Sequence, residues 1–259
     1  MKDFSIFLTP VSEKNQEEFA QNTKSLGSKV VFYNGDEINK KYKVAFLGVK
    51  ESRGTEVVSV KDSPDAVRNQ LYKLFPGTQV SCIDLGNIEQ GESQADTFFA
   101  LAEVLSQLIK KNIIPVVIGG SQELTLGMYK AFEKLELIIN LTTIDRKIDF
   151  QAVNETTTDS YLKDILLAKP NYLFNYANLG SQSYYLNPDN VQMMHKLFFE
   201  TKRLGELQSN MELAEPILRN SNLVSFDLNS VRQSEVPGTS FASPNGFFGN
   251  EACQIARYA

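Results

Sequence analysis

Residues 140–150, NLTTIDRKIDF, decide the fold. The apolar run starts just before them, at Leu137, Ile138 and Ile139, and continues through Leu141, Thr142, Thr143 and Ile144. An uncharged, β-branched run of this kind reads as a strand buried on both faces of a parallel sheet. It ends in two aspartates, Asp145 and Asp149, four residues apart, with Arg146 and Lys147 between them. Open α/β sheets bind their ligands beyond the carboxyl ends of the strands. Asp145, Lys147 and Asp149 therefore fall where such a fold keeps its chemistry.

Outward from this strand the chain alternates. Strands are predicted over 4–8, 30–33, 42–49, 80–85, 113–118, 172–178, 203–207 and 223–227. Helices are predicted over 63–75, 93–112, 160–169, 187–200 and 211–220, and after Gly119-Gly120. Ser63, Pro64 and Asp65 make a good helix start. Phe98, Leu101, Val104, Leu105 and Leu108 lie at helical spacing, and Lys110-Lys111 close that helix favourably. Strand and helix in regular turn give an α/β protein with a mostly parallel sheet, a three-layer α/β/α arrangement. The last residues, NEACQIARYA, read as the opening turns of a helix that should continue, so we expect the chain to be cut short at its C-terminus.

Composition narrows the function. The 259 residues are 42% hydrophobic and 22% charged, enough for one domain with a sizeable core. A net charge of −5 disfavours nucleic acid and anionic membranes. No run is long enough to span a membrane, and the start lacks a signal peptide's basic and apolar parts. Two cysteines, Cys82 and Cys253, make no disulfide framework, so a cytoplasmic location is expected. The single histidine, His195, lies on the helix after Asn187-Pro188 and reads as a surface residue.

Three segments follow buried strands: Gly119-Gly120-Ser121-Gln122-Glu123, Asp145-Arg146-Lys147-Ile148-Asp149 and Ser225-Phe226-Asp227-Leu228-Asn229. A Pro237-Gly238-Thr239 loop comes after the last. Read plainly, the charges are solvated loop ends, and Gly119-Gly120 is a tight turn. No Walker Lys-Ser/Thr follows that turn, and no Gly-x-Gly-x-x-Gly follows any strand, which disfavours a nucleotide site. Arg146 and Arg232 read as solvated charge, with an anionic ligand as the alternative.

Order and context together resemble the arginase or ureohydrolase superfamily, and within it the formimidoylglutamase branch. The resemblance runs from about residue 42 to the end. It implies a single ureohydrolase-like domain over 1–259 that hydrolyses linear C–N bonds of amidines or guanidines, often as an oligomer. It also implies two manganese ions held by two His and four Asp, whose bridging hydroxide attacks the substrate carbon. Asp145, Asp149 and Asp227 match ligand aspartates. Gln122 and Lys147 stand where the two His are expected, and Asn229 replaces the last Asp.

These replacements have a sign. An ammonium about 4 Å from a divalent ion is repelled by about 8 kcal/mol at an effective dielectric of about 20. Nearby carboxylates also hold the lysine in its charged form. Lys147 is expected to neutralise the Asp145, Asp149 and Asp227 cluster in the metal's place, with Gln122 and Asn229 completing hydrogen bonds. Two readings follow. One is a hydrolase of an N-formimidoyl amino acid or similar amidine, with a weak or single Mg²⁺ or Mn²⁺ on the three aspartates. The other is a metal-free pseudoenzyme that binds or scaffolds, with no cofactor expected.

Overall fold

The computed structural model describes residues 4–56, 62–77, 81–239 and 241–259. Their contacts fall into two compact units, residues 1–135 and 136–259. Each unit carries a four-stranded parallel sheet with helices on its connections, so the α/β class holds. Among the described residues, no helix is long and apolar enough to cross a membrane.

The first unit opens with helix α1 (Glu13–Ala20), capped by Ser12, whose hydroxyl accepts from the Asn15 amide at 3.3 Å. The sequence reading had no helix there. Its strands are β1 (Val31–Phe32), β2 (Val44–Val49), β3 (Cys82–Ile88) and β4 (Ile114–Ile118), in the order β1-β3-β2-β4. Parallel neighbours need long crossovers. Helix α2 (Ser63–Leu71) joins β2 to β3, α3 (Gln94–Lys110) joins β3 to β4, and α4 (Leu124–Lys134) follows β4. Ser93 and Asp96 close a capping box at the start of α3. Phe19, Phe46, Tyr72, Cys82 and Ile118 pack into one core cluster. Arg68 is buried beside them, with Nε 2.7 Å and Nη2 2.9 Å from the two Asp84 oxygens. Tyr72 donates its hydroxyl to the same carboxylate.

The second unit has strands β5 (Ile139–Ile144), β6 (Leu173–Ser181), β7 (Glu200–Arg203) and β8 (Leu223–Phe226), in the order β7-β6-β5-β8. The decisive run is therefore an inner strand. Leu141 to Ile144 pair with Leu223 to Phe226 on one side and with Tyr176 to Leu179 on the other. Helices α5 (Tyr161–Leu167), α6 (Pro188–Lys196), α7 (Leu204–Ser209), α8 (Glu215–Arg219) and α9 (Gly249–Tyr258) complete the unit. Ile144, Leu179, Leu204, Leu207, Phe247 and Ile255 form its core.

Three expectations need correction. Residues 4–8 hold a 3₁₀ helix, Phe4–Phe7, not a strand: so short a run finds no sheet neighbour, and only Thr9 bridges to Asn87. Residues 203–207 are the end of β7 followed by α7, because Leu204 and Leu207, three apart, face the core together. The 113–118 strand is not buried throughout: Ile114 is 64% and Val116 38% exposed. Val80, in the predicted 80–85 strand, lies outside the described residues.

Gly180 shows how tightly the β5 end is packed. Its φ is +100°, and a Cβ there would stand 2.5 Å from the Phe247 ring. Gly180→Ala combines left-handed strain with overpacking, and should lower unfolding free energy by about 2–4 kcal/mol in urea denaturation.

Candidate functional site

Strand β5 ends by passing Asp145 into the interior. The Asp145 amide donates to the Leu179 carbonyl of β6 at 3.0 Å. On the other side the Asp227 amide donates to the Ile144 carbonyl at 3.0 Å. The sheet register thus brings the ends of β5 and β8 together. Asp145 and Asp149 are buried and Asp227 is partly buried. Asp145 and Asp149 lie within hydrogen-bonding reach of each other. Asp145 Oδ2 and Asp149 Oδ1 are buried with no donor. One proton held by Asp145 toward Asp149 fits both facts.

The electrostatics follow from burial. Burial first, then Asp149 and Asp227, push the Asp145 carboxyl well above the usual carboxylate range. Asp149 is pushed up to about 7, by burial above all, with Lys147 pulling it back. Burial also raises Asp227, against hydrogen bonds from Asn229 and the charges of Lys147 and Arg146. Burial draws Lys147 down, but Asp149, Asp159 and Asp145 outweigh it, and the ammonium is held charged.

Lys147 Nζ stands 3.7 Å from Asp149 Oδ1 and pairs with Asp159 Oδ1. Its amide donates to Asp145 Oδ1 at 3.1 Å, and its carbonyl accepts from Asn178 Nδ2 at 2.9 Å. Asn178 also reaches Thr143 Oγ1, which shares a 2.7 Å hydrogen bond with the Tyr176 hydroxyl. The loop is therefore fixed from beneath by β5 and β6. Asn229 donates its amide and Nδ2 to Asp227 Oδ1 at 2.8 and 3.0 Å, and its own Oδ1 accepts from the Phe241 amide at 3.2 Å.

Sequence reasoning missed two members. Asp159 lies twelve residues from Lys147 in a polar loop and carries no motif. Arg146, read as solvated charge, is only 7% exposed. Its Nη1 donates to the Phe241 carbonyl at 2.7 Å, and its Cζ lies 4.4 Å from the centre of the Tyr185 ring. The signal for burial was its place between two strand-end aspartates. Arg232 is partly buried; it stacks on Phe248 at 3.3 Å and donates to the Gly246 carbonyl. His195 is exposed on α6. Among the described residues, no group of three or more His, Cys, Asp or Glu side chains is arranged to hold a metal ion.

In the first unit, Gln122 is partly buried just before α4. Beside it, Glu123 is fully buried. Its Oε1 accepts from the Gly54 amide at 3.0 Å and from Ser121 Oγ at 2.5 Å. Its Oε2 has no partner, and burial raises its pKa.

Comparisons with known proteins agree on one family. The arginase family model matches residues 42–259. Formimidoylglutamase of Streptococcus gordonii is 28% identical over 155 residues, 54% of this chain and 47% of that protein. Formimidoylglutamase of Streptococcus pyogenes serotype M3 is 30% identical over 156 residues, with the same coverage. The chain thus spans about half the length of the curated relatives it matches. Among solved structures, Trypanosoma cruzi formiminoglutamase with Mn²⁺ is similar with a TM-score of 0.75 at 16% identity, covering 85% of this chain and 81% of that one. Arginase from Medicago truncatula is similar with a TM-score of 0.70 at 18% identity, covering 84% and 75%.

The site makes a prediction about stability. Asp145 and Asp149 have folded-state pKa values above the unfolded ones, so their contribution is full below about pH 4, and that of Asp149 is lost as pH rises through about 7. Above that pH the carboxylates depend on Lys147. Lys147→Met should cost about 2–3 kcal/mol at pH 8, discounted from the fully buried case for its partial exposure, and less than about 1 kcal/mol at pH 5. Urea denaturation at the two pH values checks this. Equal losses at both would remove the charge-compensating role.

Proposed function

The chain belongs to the arginase family, and from that premise we propose that it is a metal-independent member. It keeps the formimidoylglutamase-like fold as a binding protein and does not hydrolyse C–N bonds. One observation carries the proposal: the Lys147 ammonium lies between Asp149 and Asp159, at the strand end where the family resemblance implies metal.

A binuclear manganese centre built on two His and four Asp does not fit these side chains. The one histidine is exposed on α6. Lys147 brings a fixed positive charge to 3.7 Å from a carboxylate that would ligate a cation. Asn229 holds both Asp227 oxygens through its Nδ2, at 3.0 and 3.3 Å, in place of a fourth anionic ligand. The ammonium and the proton shared by Asp145 and Asp149 supply the positive charge that this anionic cluster requires. Buried carboxylates so compensated need no ion.

One observation favours the second reading, an amidine hydrolase using a single weakly held Mg²⁺ or Mn²⁺. Asp145 Oδ2 and Asp149 Oδ1 are buried oxygens without donors, and oxygen donors suit a hard cation. A proton held by Asp145 meets the same charge balance without displacing Lys147, so we favour it.

Calorimetric titration of metal-stripped protein with Mn²⁺ tests the proposal. The wild-type chain should give no heat of binding. The double variant Lys147→His, Asn229→Asp should gain at least one site. Tight uptake of two ions by the wild-type chain would overturn the proposal and call for assay as an amidine hydrolase.

A further inference from the structure

Arg146 stands out because its burial is not matched by a carboxylate among the described residues. A buried guanidinium ordinarily faces a carboxylate that repays its desolvation. Among the described residues Arg146 makes no such ion pair. Nη1 is used by the Phe241 carbonyl. Nε is buried with no acceptor, and Nη2 makes no hydrogen bond. The Nε–Nη2 edge is the side of the guanidinium whose two parallel N–H groups match the two oxygens of a carboxylate.

The surroundings hold that edge in place. The Arg146 carbonyl accepts from the Gln182 amide at 2.8 Å. Gln182 Nε2 reaches the Asn245 carbonyl at 3.4 Å, and its Oε1 accepts from the Tyr184 hydroxyl. Asn245 Nδ2 donates to the same hydroxyl at 2.9 Å. These bonds tie the 183–185 turn to the 241–245 loop and set the Tyr185 ring over the guanidinium. Tyr184 and Tyr185 keep much of their surface in solvent, while Arg146 itself is only 7% exposed.

We propose that the Nε–Nη2 edge of Arg146, beneath the Tyr185 ring, is a subsite for one carboxylate of a small organic acid. The site carries a single unpaired cation and lies near Asp227, which already draws on the Arg146 charge. A planar monoanion fits that balance. A phosphate dianion would bring a second negative charge beside Asp227 with no second cation to meet it. The subsite does not depend on the metal-free reading and would stand in a metal-loaded chain as well.

The test titrates the full chain, in EDTA, with sodium acetate, sodium glutarate, acetamide and inorganic phosphate. The chain has no Trp, so tyrosine fluorescence is readable, and thermal shift gives a second signal. Acetate and glutarate should bind saturably with Kd on the order of 1 mM, and acetamide should not. Arg146→Met and Arg146→Lys should each weaken binding at least about tenfold, the lysine because it keeps the charge but loses the fork. Tyr185→Leu, which leaves Arg146 and its loop contact in place, should weaken binding several-fold and guards against misfolding of the arginine variants. The proposal is overturned if the wild-type chain binds no carboxylate, if folded Arg146→Met binds as well as wild type, or if phosphate binds more tightly than acetate. Mn²⁺ titration separately decides the metal-free reading, so the two can fail independently.

Discussion

The site depends on the cost of keeping negative charge inside the end of a parallel sheet. Asp145 is delivered there by β5 and cannot leave, because its amide closes the ladder toward β6. A lone carboxylate in that position would be driven to take a proton. Three carboxyl groups in one place sharpen the problem, since like charges raise one another's pKa. The chain answers with one ammonium, and burial together with the neighbouring carboxylates pushes Asp145 toward its protonated form. Lys147 reaches Asp149 while pairing with Asp159 nearer the surface, so the pair is desolvated on one side only. That geometry lets the ammonium stay charged at modest cost.

The fold serves this arrangement through the β5, β6 and β8 ends. Gly180 lets β6 turn with Phe247 packed against it. Asn178, two residues earlier, holds the Lys147 carbonyl. Asn229 couples Asp227 to the 241 loop, and Arg146 holds the same loop through the Phe241 carbonyl. Two polar residues, each next to a carboxylate of the cluster, thus fix one loop residue from both its amide and its carbonyl.

Much of this was legible in the sequence, for definite reasons. The β5 run and its abrupt charged end made the strand and its carboxyl end legible. Asp227 was readable because it ends a second apolar run, and Lys147 because an ammonium between strand-end aspartates has few other uses. Residues that act through long loops were not readable. Asp159 gives no periodic signal, and only the tertiary path of the 151–159 loop brings it to Lys147. Arg146 was misread because side-chain type suggests solvent, whereas its backbone position at the β5 end forces it inward. The 203–207 segment was misread because two leucines three apart fit a short helix as well as a strand, and core packing chose the helix.

Under the metal-independent reading we propose, likeness of fold and likeness of chemistry separate. A TM-score of 0.75 at 16% identity means that backbone architecture is specified by pattern, with most side chains free to differ. Fold therefore says where a site is, and the residues at that place say what it does. At the β5 end, the residues between the two aspartates are arginine and lysine. Both are permanent cations under ordinary conditions, and neither is suited to ligate a metal ion while charged. Lys147 faces inward charge already present in the chain. Arg146 has used one nitrogen on its loop and keeps an unpaired edge.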